Sequence, residues 1–115
     1  MEIFDLETAL AAVEGDRELL AELLAMFSEQ EQALLQEIDS AIQNADGKNL
    51  KATAHSLKGA LGNLGASRAA QTASEMEKMG EIGDFDSARN KYETIIAEID
   101  SFKKATENLR TVESR

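Results

Sequence analysis

The chain has 115 residues, 43% of them hydrophobic, and its 22 acidic residues outnumber its 12 basic ones, so that the formal net charge is −10. This length favours one domain with a real hydrophobic core, and the negative charge argues against nucleic acid as the main partner. The absence of cysteine excludes disulfides and thiolate metal sites, while the absence of proline and the abundance of Ala, Leu and Glu favour helices.

The sequence has no feature of a membrane or secreted protein. No apolar run approaches the roughly 20 residues that a membrane-spanning helix needs, and the N-terminus lacks a basic segment followed by an apolar one. We therefore expect a cytoplasmic protein without membrane contact. We expect a single domain over residues 1–115, with a core at 5–105 and a frayed tail at 106–115. Whether the domain stands alone or belongs to a larger protein is left open.

Apolar spacing and capping residues predict a short helix followed by a long one. Asp5 is the candidate N-cap of the short helix, which ends near Gly15. Asp16 caps the second helix, which runs to about Asn44. The polar run at 28–32 allows a bend or a short break within this second helix.

Three more helices follow, each with its own predicted cap and stop. The N-caps are Asp46, Ser67 and Asp84, the stops are Gly65 for the third helix and Gly80 and Gly83 for the fourth, and the inward apolar residues include Leu19 and Ile82. Four long amphipathic helices joined by short loops predict an all-α fold. The expected architecture is an antiparallel up-and-down four-helix bundle with the short N-terminal helix covering one end.

The third helix lies in an unusual window of charge. Residues 47–74 contain Lys48, Lys51, Lys58 and Arg68 but no Asp or Glu, although acids are 22 of the 115 residues. An acidic body with one acid-free patch is typical of a docking surface for an acidic partner. We assign Lys48, Lys51 and Arg68 to this docking face.

His55 is the only histidine of the chain and lies within the same window. The apolar seam of its helix runs through Leu50, Leu57 and Leu64, and at about 100° per residue His55 lies roughly 140° from the centre of that seam. The imidazole should therefore point to solvent. A nucleophilic ring with positive charge around it favours a phosphate site, where Lys58 can reach phosphate oxygens.

Gly59 and Gly62 need an explanation because each destabilises a helix interior by about 0.5–1 kcal/mol relative to Ala. Either glycine could end the helix. Against this, the leucine seam continues to Leu64 and Gly65 is the better C-terminal stop. The interpretation we favour is that side chains are missing beside His55 so that another protein can approach closely.

The run His-Ser-Leu-Lys-Gly at 55–59, followed by Asn-Leu-Gly-Ala at 63–66, resembles the signature of histidine-containing phosphotransfer (HPt) domains of bacterial phosphorelays. That family has His-x-Leu-Lys-Gly on an exposed helical face and then a run of small residues ending in Leu-Gly. The resemblance extends from about Asp5 to about Ala105. It implies a helical bundle whose phosphorylated residue is His55.

The resemblance also implies a mechanism and partners. His55 would accept a phosphoryl group from the phospho-aspartate of one receiver domain and pass it to another receiver. The partners would be response regulator receiver domains and a hybrid sensor histidine kinase. The chain itself would bind no cofactor, with Mg²⁺ held by the partner receiver, and would act as a monomeric phosphorelay intermediate without ATP-dependent kinase activity. Whether such an intermediate counts as an enzyme is left open.

Glu77 is a candidate to orient the imidazole. If the turn between the third and fourth helices centres near Ala66, then His55 and Glu77 are equally far from it in sequence and face each other. Glu77 could then accept a hydrogen bond from Nδ1 and leave Nε2 as the nucleophile. HPt domains often have an acidic or polar residue in that region. A solvated surface glutamate explains the residue equally well.

Other functions find less support in the residues. There is no metal site at His55, because no second His, no Cys and no carboxylate lies within one turn of it. Ser56 points about 100° away from His55, so the two form no nucleophile–base pair. A glycine-rich phosphate loop is also missing. The main alternative is a helical adaptor that cannot be phosphorylated and docks a partner through its basic patch. A phosphate sink is a further alternative within the relay class.

Overall fold

The computed structural model describes residues 1–110. Within that range every regular element is a helix, namely α1 (Leu6–Ala12), α2 (Arg17–Gln43), α3 (Gly47–Asn63), α4 (Ser67–Ile82), α5 (Phe85–Ala105) and α6 (Glu107–Arg110). Helix α2 packs against α3 and α5, and α4 packs against the same two helices. These four helices therefore form the predicted all-α bundle, with α1 packed across α2 and α3.

Aspartate side chains begin four of the helices, as predicted. Asp5, Asp16, Asp46 and Asp84 each accept a hydrogen bond from the backbone N–H three residues later. Such a bond satisfies one of the donors that a helix N-terminus leaves without a partner. The predicted cap at Ser67 is wrong. The N-cap of α4 is Ala66, without a side-chain bond.

The N-terminal segment explains why α4 begins without a capping side chain. The backbone N–H of Arg68, in the first turn of α4, donates to the carbonyl of Glu2 at 3.0 Å. A second backbone bond joins the Asp5 N–H to the Gly65 carbonyl at 2.7 Å. A distant part of the chain thus satisfies a donor that a local cap would otherwise take.

Helices α2 and α3 are both uninterrupted. Helix α2 runs as one α-helix from Arg17 to Gln43, so the polar run at 28–32 neither breaks nor ends it. Helix α3 continues to Asn63, and Gly65 follows with a φ of 77°. The two glycines of α3 therefore lie inside the helix, and termination at either one is excluded.

The end of α4 differs from the prediction at one glycine. Gly83, with a φ of 78°, is the C-cap of the helix. Gly80, which was predicted to share that role, is a buried residue of the helix itself. Ile82 is the last residue of α4 and is 75% exposed, so its predicted inward position is wrong. It follows the buried Gly80 by two residues, which at about 100° per residue places it on the opposite, solvent-facing side of α4.

The core is mainly aliphatic and includes a cluster of three phenylalanines. Phe4 and Phe27 contact Phe102 edge-on, and their ring centroids lie 5.7 and 6.2 Å from that of Phe102. Leu19 was predicted to point inward but is 39% exposed, because its neighbour Leu20 takes the inward position at 1%. The other large side chains with almost no exposure are Leu24, Ile38, Leu50, Leu57, Leu61, Met76, Ile95 and Ile99.

The start of the predicted tail is packed rather than frayed. Thr106 is 1% exposed, and its hydroxyl donates to the Phe102 carbonyl at 2.9 Å. Helix α6 then packs against α2, with Leu109 on the core. The tail prediction is therefore wrong for 106–110, whereas 111–115 lie outside the described residues. Among the helices described, none is long and apolar enough to cross a membrane.

Candidate functional site

His55 lies on the outward face of α3 because the opposite face of that helix is completely buried. Leu50, Ala54, Leu57 and Leu61 have no measurable exposure, which fixes the rotation of the helix about its axis. The His55 side chain is 66% exposed as a result. The solvent-facing imidazole predicted from the apolar seam is present.

One carboxylate of α4 holds two side chains of α3. Glu77 Oε2 lies 3.1 Å from His55 Nδ1, and Glu77 Oε1 accepts a hydrogen bond from Lys58 Nζ at 2.8 Å. The Glu77 side chain is only 18% exposed, so it is not a solvated surface glutamate. The sequence placed Glu77 opposite His55. It did not reveal that Lys58 binds the other oxygen of the same carboxylate.

These contacts determine the charge of Glu77 and the hydrogen positions on the ring. The hydrogen bond from Lys58 lowers the pKa of Glu77 below its usual value, and the bond to His55 lowers the pKa further, although burial of the carboxyl acts in the opposite direction. An ionised carboxylate can only accept hydrogen bonds. Nδ1 of His55 must therefore be the donor, and in the neutral ring Nε2 keeps its lone pair.

An open cleft of about 470 Å³ surrounds this group, lined by Lys48, Lys51, Ala52, His55 and Glu77. Two of the three residues assigned to the docking face thus lie beside the imidazole. Lys51 also approaches Glu81 at 3.6 Å in an exposed ion pair. The cleft combines a nucleophilic ring with ammonium groups, which suits a phosphoryl group that carries negative charge.

Arg68, the third residue assigned to the docking face, is not in this cleft. Its Nε and Nη2 donate to the Met1 carbonyl at 3.3 and 3.0 Å. The guanidinium therefore ties the N-terminal segment to the start of α4. The sequence window of positive charge included Arg68, but the fold uses its side chain for a structural contact.

Gly59 and Gly62 leave a bare surface, without side chains, on the C-terminal side of His55. A Cβ added at Gly59 or Gly62 would meet no atom within 4 Å among the residues that the structure describes. The lack of a side chain at these two positions is not required by packing inside the chain. The geometry is thus compatible with close approach by another protein.

An apolar cleft between α2 and α3 adjoins this bare surface and was missed in the sequence. It has a volume of about 180 Å³ and is lined mainly by Leu23, Met26, Phe27, Ala60 and Leu64. Met26 is 50% exposed and forms part of the wall of this cleft. The sequence does contain an indication of this cleft, because Met26 is an apolar residue that lies beside the inward-facing seam of α2 and not within it.

Within residues 1–110 no group of three or more His, Asp or Glu side chains is arranged to hold a metal ion. The site offers an exposed imidazole with an ammonium group beside the ring. One ring nitrogen is hydrogen-bonded to a carboxylate, and the other is free within the described part of the chain.

Comparison with known proteins identifies the family. The model of the Hpt domain matches residues 22–110. The chain belongs to the Hpt domain family. It is also similar to the crystal structure of histidine-containing phosphotransfer protein B (HptB) from Pseudomonas aeruginosa PAO1, with a TM-score of 0.86, 25% sequence identity and coverage of 94% of both chains. No curated protein sequence matches it significantly.

The family assignment made from residues 55–66 and the helical-bundle fold are therefore confirmed. This Hpt domain is a histidine phosphotransfer module of phosphorelays. Such domains interact with receiver domains and kinases. The acceptor atom, the donor and the roles of individual side chains are finer questions that depend on the geometry of the site.

Proposed function

We propose that His55 accepts a phosphoryl group on Nε2 from the phospho-aspartate of one receiver domain and passes it to the aspartate of another. The observation that carries this proposal is the 66% exposed ring whose Nδ1 lies 3.1 Å from an ionised carboxylate. That contact supports Nε2 as the nitrogen that is free to react. Exposure lets the free nitrogen reach an atom that belongs to a partner.

The transfer is an in-line displacement at phosphorus. The lone pair of Nε2 attacks, an N–P bond forms, and the P–O bond to the receiver's aspartate breaks, so that the aspartate leaves as a carboxylate. The ring keeps its hydrogen on Nδ1 and gains positive charge, which the negative charge of Glu77 stabilises. Transfer to the second receiver is the reverse displacement, in which an aspartate oxygen attacks and Nε2 leaves.

Lys58 supplies positive charge for the phosphoryl oxygens in this proposal. Its ammonium group and the ring are held side by side because they share the Glu77 carboxylate. A lysine suits the task because its ammonium acts as a mobile point charge. The chain itself needs no cofactor, and any Mg²⁺ that neutralises the transferring group belongs to the receiver.

The receiver docks on the face that surrounds His55. Lys48 and Lys51 meet its acidic pocket, while the bare helix at Gly59 and Gly62 lets its backbone come close to the ring. The apolar cleft beside Met26 is continuous with this face and gives the partner an area to bury. All of these residues belong to one chain, so a monomer is sufficient.

The test is phosphoryl transfer from a phosphorylated receiver in the presence of Mg²⁺, followed by intact-mass analysis. We expect the wild type to gain one acid-labile, alkali-stable phosphoryl group and His55→Gln to gain none. Circular dichroism of the His55→Gln variant serves as the control for folding. Gain of a phosphoryl group by His55→Gln would contradict the proposal. Failure of the wild type with a panel of competent receivers would favour the adaptor function instead.

A further inference from the structure

The backbones of α3 and α4 touch at a pair of glycines. A Cβ built at Gly80 would lie 2.7 Å from the Lys51 nitrogen and 2.9 Å from the Gly47 carbonyl oxygen. A Cβ built at Gly47 would lie 2.5 Å from the Gly80 carbonyl oxygen. These neighbours are backbone atoms, so no change of rotamer can relieve the overlap. A side chain at either position would force the two helices apart.

Backbone conformation does not explain the glycine at position 80. The glycines with positive φ in the part of the chain that the structure describes are Gly15, Gly65 and Gly83, so Gly80 has the φ of an ordinary helical residue. Glycine inside a helix is also less stable than alanine. What requires glycine at this position is therefore the space between α3 and α4.

This glycine contact is one helical turn from the candidate site. On α4, Glu77 precedes Gly80 by three residues, and on α3, Lys51 precedes His55 by four. Residues three or four apart lie on the same face of a helix. The distance between the backbones at the glycines thus determines how far the Glu77 carboxylate is from the ring.

The hydrogen bond to the ring has little tolerance for a wider spacing. Nδ1 and Oε2 are 3.1 Å apart, near the upper end of the range of about 2.7–3.2 Å for N–H···O bonds. With the Glu77 side chain in the same rotamer, a separation of the helices by about 0.5 Å at this level would place the two atoms beyond that range. The Lys58 bond at 2.8 Å would be stretched by the same movement.

We propose that Gly80, together with Gly47, is a positioning residue for phosphotransfer. The glycine pair keeps α4 close enough to α3 for Glu77 to fix the hydrogen of His55 on Nδ1 and to hold Lys58 beside it. This role rests on the proposed function of His55. It also determines a property of the free protein, the tautomer of the imidazole, which can be measured without any transfer.

The first experiment measures the ¹⁵N chemical shifts of the His55 ring by NMR, at a pH where the ring is neutral. In the wild type we expect the hydrogen mainly on Nδ1, and in Gly80→Ala we expect a shift of the population toward hydrogen on Nε2, the form that free imidazole side chains favour. Gly83→Ala is the matched control. It strains the C-cap of α4, where φ is 78°, without placing a methyl group between the helices. It should lose stability and keep the wild-type ring shifts.

The second experiment compares phosphotransfer rates in a double-mutant cycle. Gly80→Ala should slow transfer from a phosphorylated receiver about tenfold, the effect of losing one hydrogen bond to a charged group. In a Glu77→Ala background the same substitution should have no further effect on the rate, because the contact through which it acts is already gone. Gly80→Ala should still lower the midpoint of thermal unfolding in the Glu77→Ala background, because the overlap with backbone atoms is present with or without Glu77.

The results separate a positioning role from a purely structural one. Unchanged ring shifts in Gly80→Ala, or an equal loss of rate with and without Glu77, would overturn the proposal. Gly47→Ala places a methyl group in the same contact from the α3 side. It replaces Gly80→Ala in these experiments if Gly80→Ala does not fold. If the wild type accepts no phosphoryl group, the proposed function fails, yet the ring shifts still test the positioning by the glycines.

Discussion

The α3–α4 pair and the α2–α5 pair of the bundle differ in how closely their backbones approach. Helices α3 and α4 meet at Gly47 and Gly80 with no room for a methyl group. Helices α2 and α5 leave an open groove of about 520 Å³ with Tyr92 among its lining residues. The close pair carries the hydrogen bonds of the site, and the open pair carries none of the residues proposed to transfer phosphate.

The two pairs also differ in what determines the distance between the helices. Small buried residues such as Ala54, Ala69 and Ala73 let α3 and α4 pack closely. Long side chains span the other interface, where Arg89 reaches Asp39 at 2.6 Å and Lys103 reaches Glu31 at 2.7 Å. Close contact between backbones fixes the distance between two helices more narrowly than flexible side chains do. A site that depends on hydrogen bonds between two helices needs this narrower control of the distance between them.

The largest expected effect on stability comes from placing a larger side chain in the α3–α4 contact, compared with a larger side chain in the α2–α5 groove. Gly80→Val should lower the free energy of unfolding by about 3 kcal/mol, because the overlap falls on backbone atoms that cannot move independently. The larger side chain of Leu35→Phe extends into the α2–α5 groove. This variant should change the free energy of unfolding by less than about 1 kcal/mol. Urea denaturation followed by circular dichroism measures both. Equal losses in the two variants would show that the pairs are packed alike.

Local interactions explain what could be predicted from the sequence. Asp5 and Asp84 cap helices through an N–H only three residues away, so the pattern is complete within one short segment. The outward direction of His55 follows from the period of a single helix. Glu77 could be matched to His55 because a short hairpin pairs positions in a simple order.

Several differences between the prediction and the structure involve partners that are distant in sequence. Ser67 looked like a cap, but the carbonyl of Glu2 comes from the other end of the domain to bind the first turn of α4. Arg68 looked like part of the docking face, yet its partner is Met1. Gly80 has the appearance of a helix stop unless the closeness of α3 is known. Helical period and capping patterns contain no information on such contacts.

A smaller effect is expected from the charge of Glu77. Because the pKa of this carboxyl is lowered in the folded protein, its ionised form stabilises the fold above the ordinary value of 4.5, and the stabilisation disappears as the pH falls through the lower folded pKa. Wild type should therefore exceed Glu77→Gln in free energy of unfolding by about 1 kcal/mol at neutral pH, with a difference that vanishes in acid.

Glu81→Gln is the matched control for this pH dependence. Glu81 lies on the same helix and pairs with Lys51 across the same interface, but at 3.6 Å and with 61% of its side chain exposed. Such a pair contributes little, so the variant should match the wild type at every pH. Urea denaturation between neutral and acid pH measures all three proteins. A difference for Glu77→Gln that persists in acid would show that its charge is not the cause.

The smallest effect is expected at the open pair. Arg89 and Asp39 form an ion pair with 41% and 32% of their side chains exposed, and the guanidinium also lies over the Tyr92 ring at 5.6 Å. Partly solvated pairs of this kind contribute roughly 0–1 kcal/mol. A double-mutant cycle of Arg89→Met and Asp39→Asn should give a coupling free energy within that range and leave the rate of phosphotransfer unchanged. A coupling above about 2 kcal/mol, well outside that range, or a slower transfer would mean that α2 and α5 must be held as closely as α3 and α4 for the site to work.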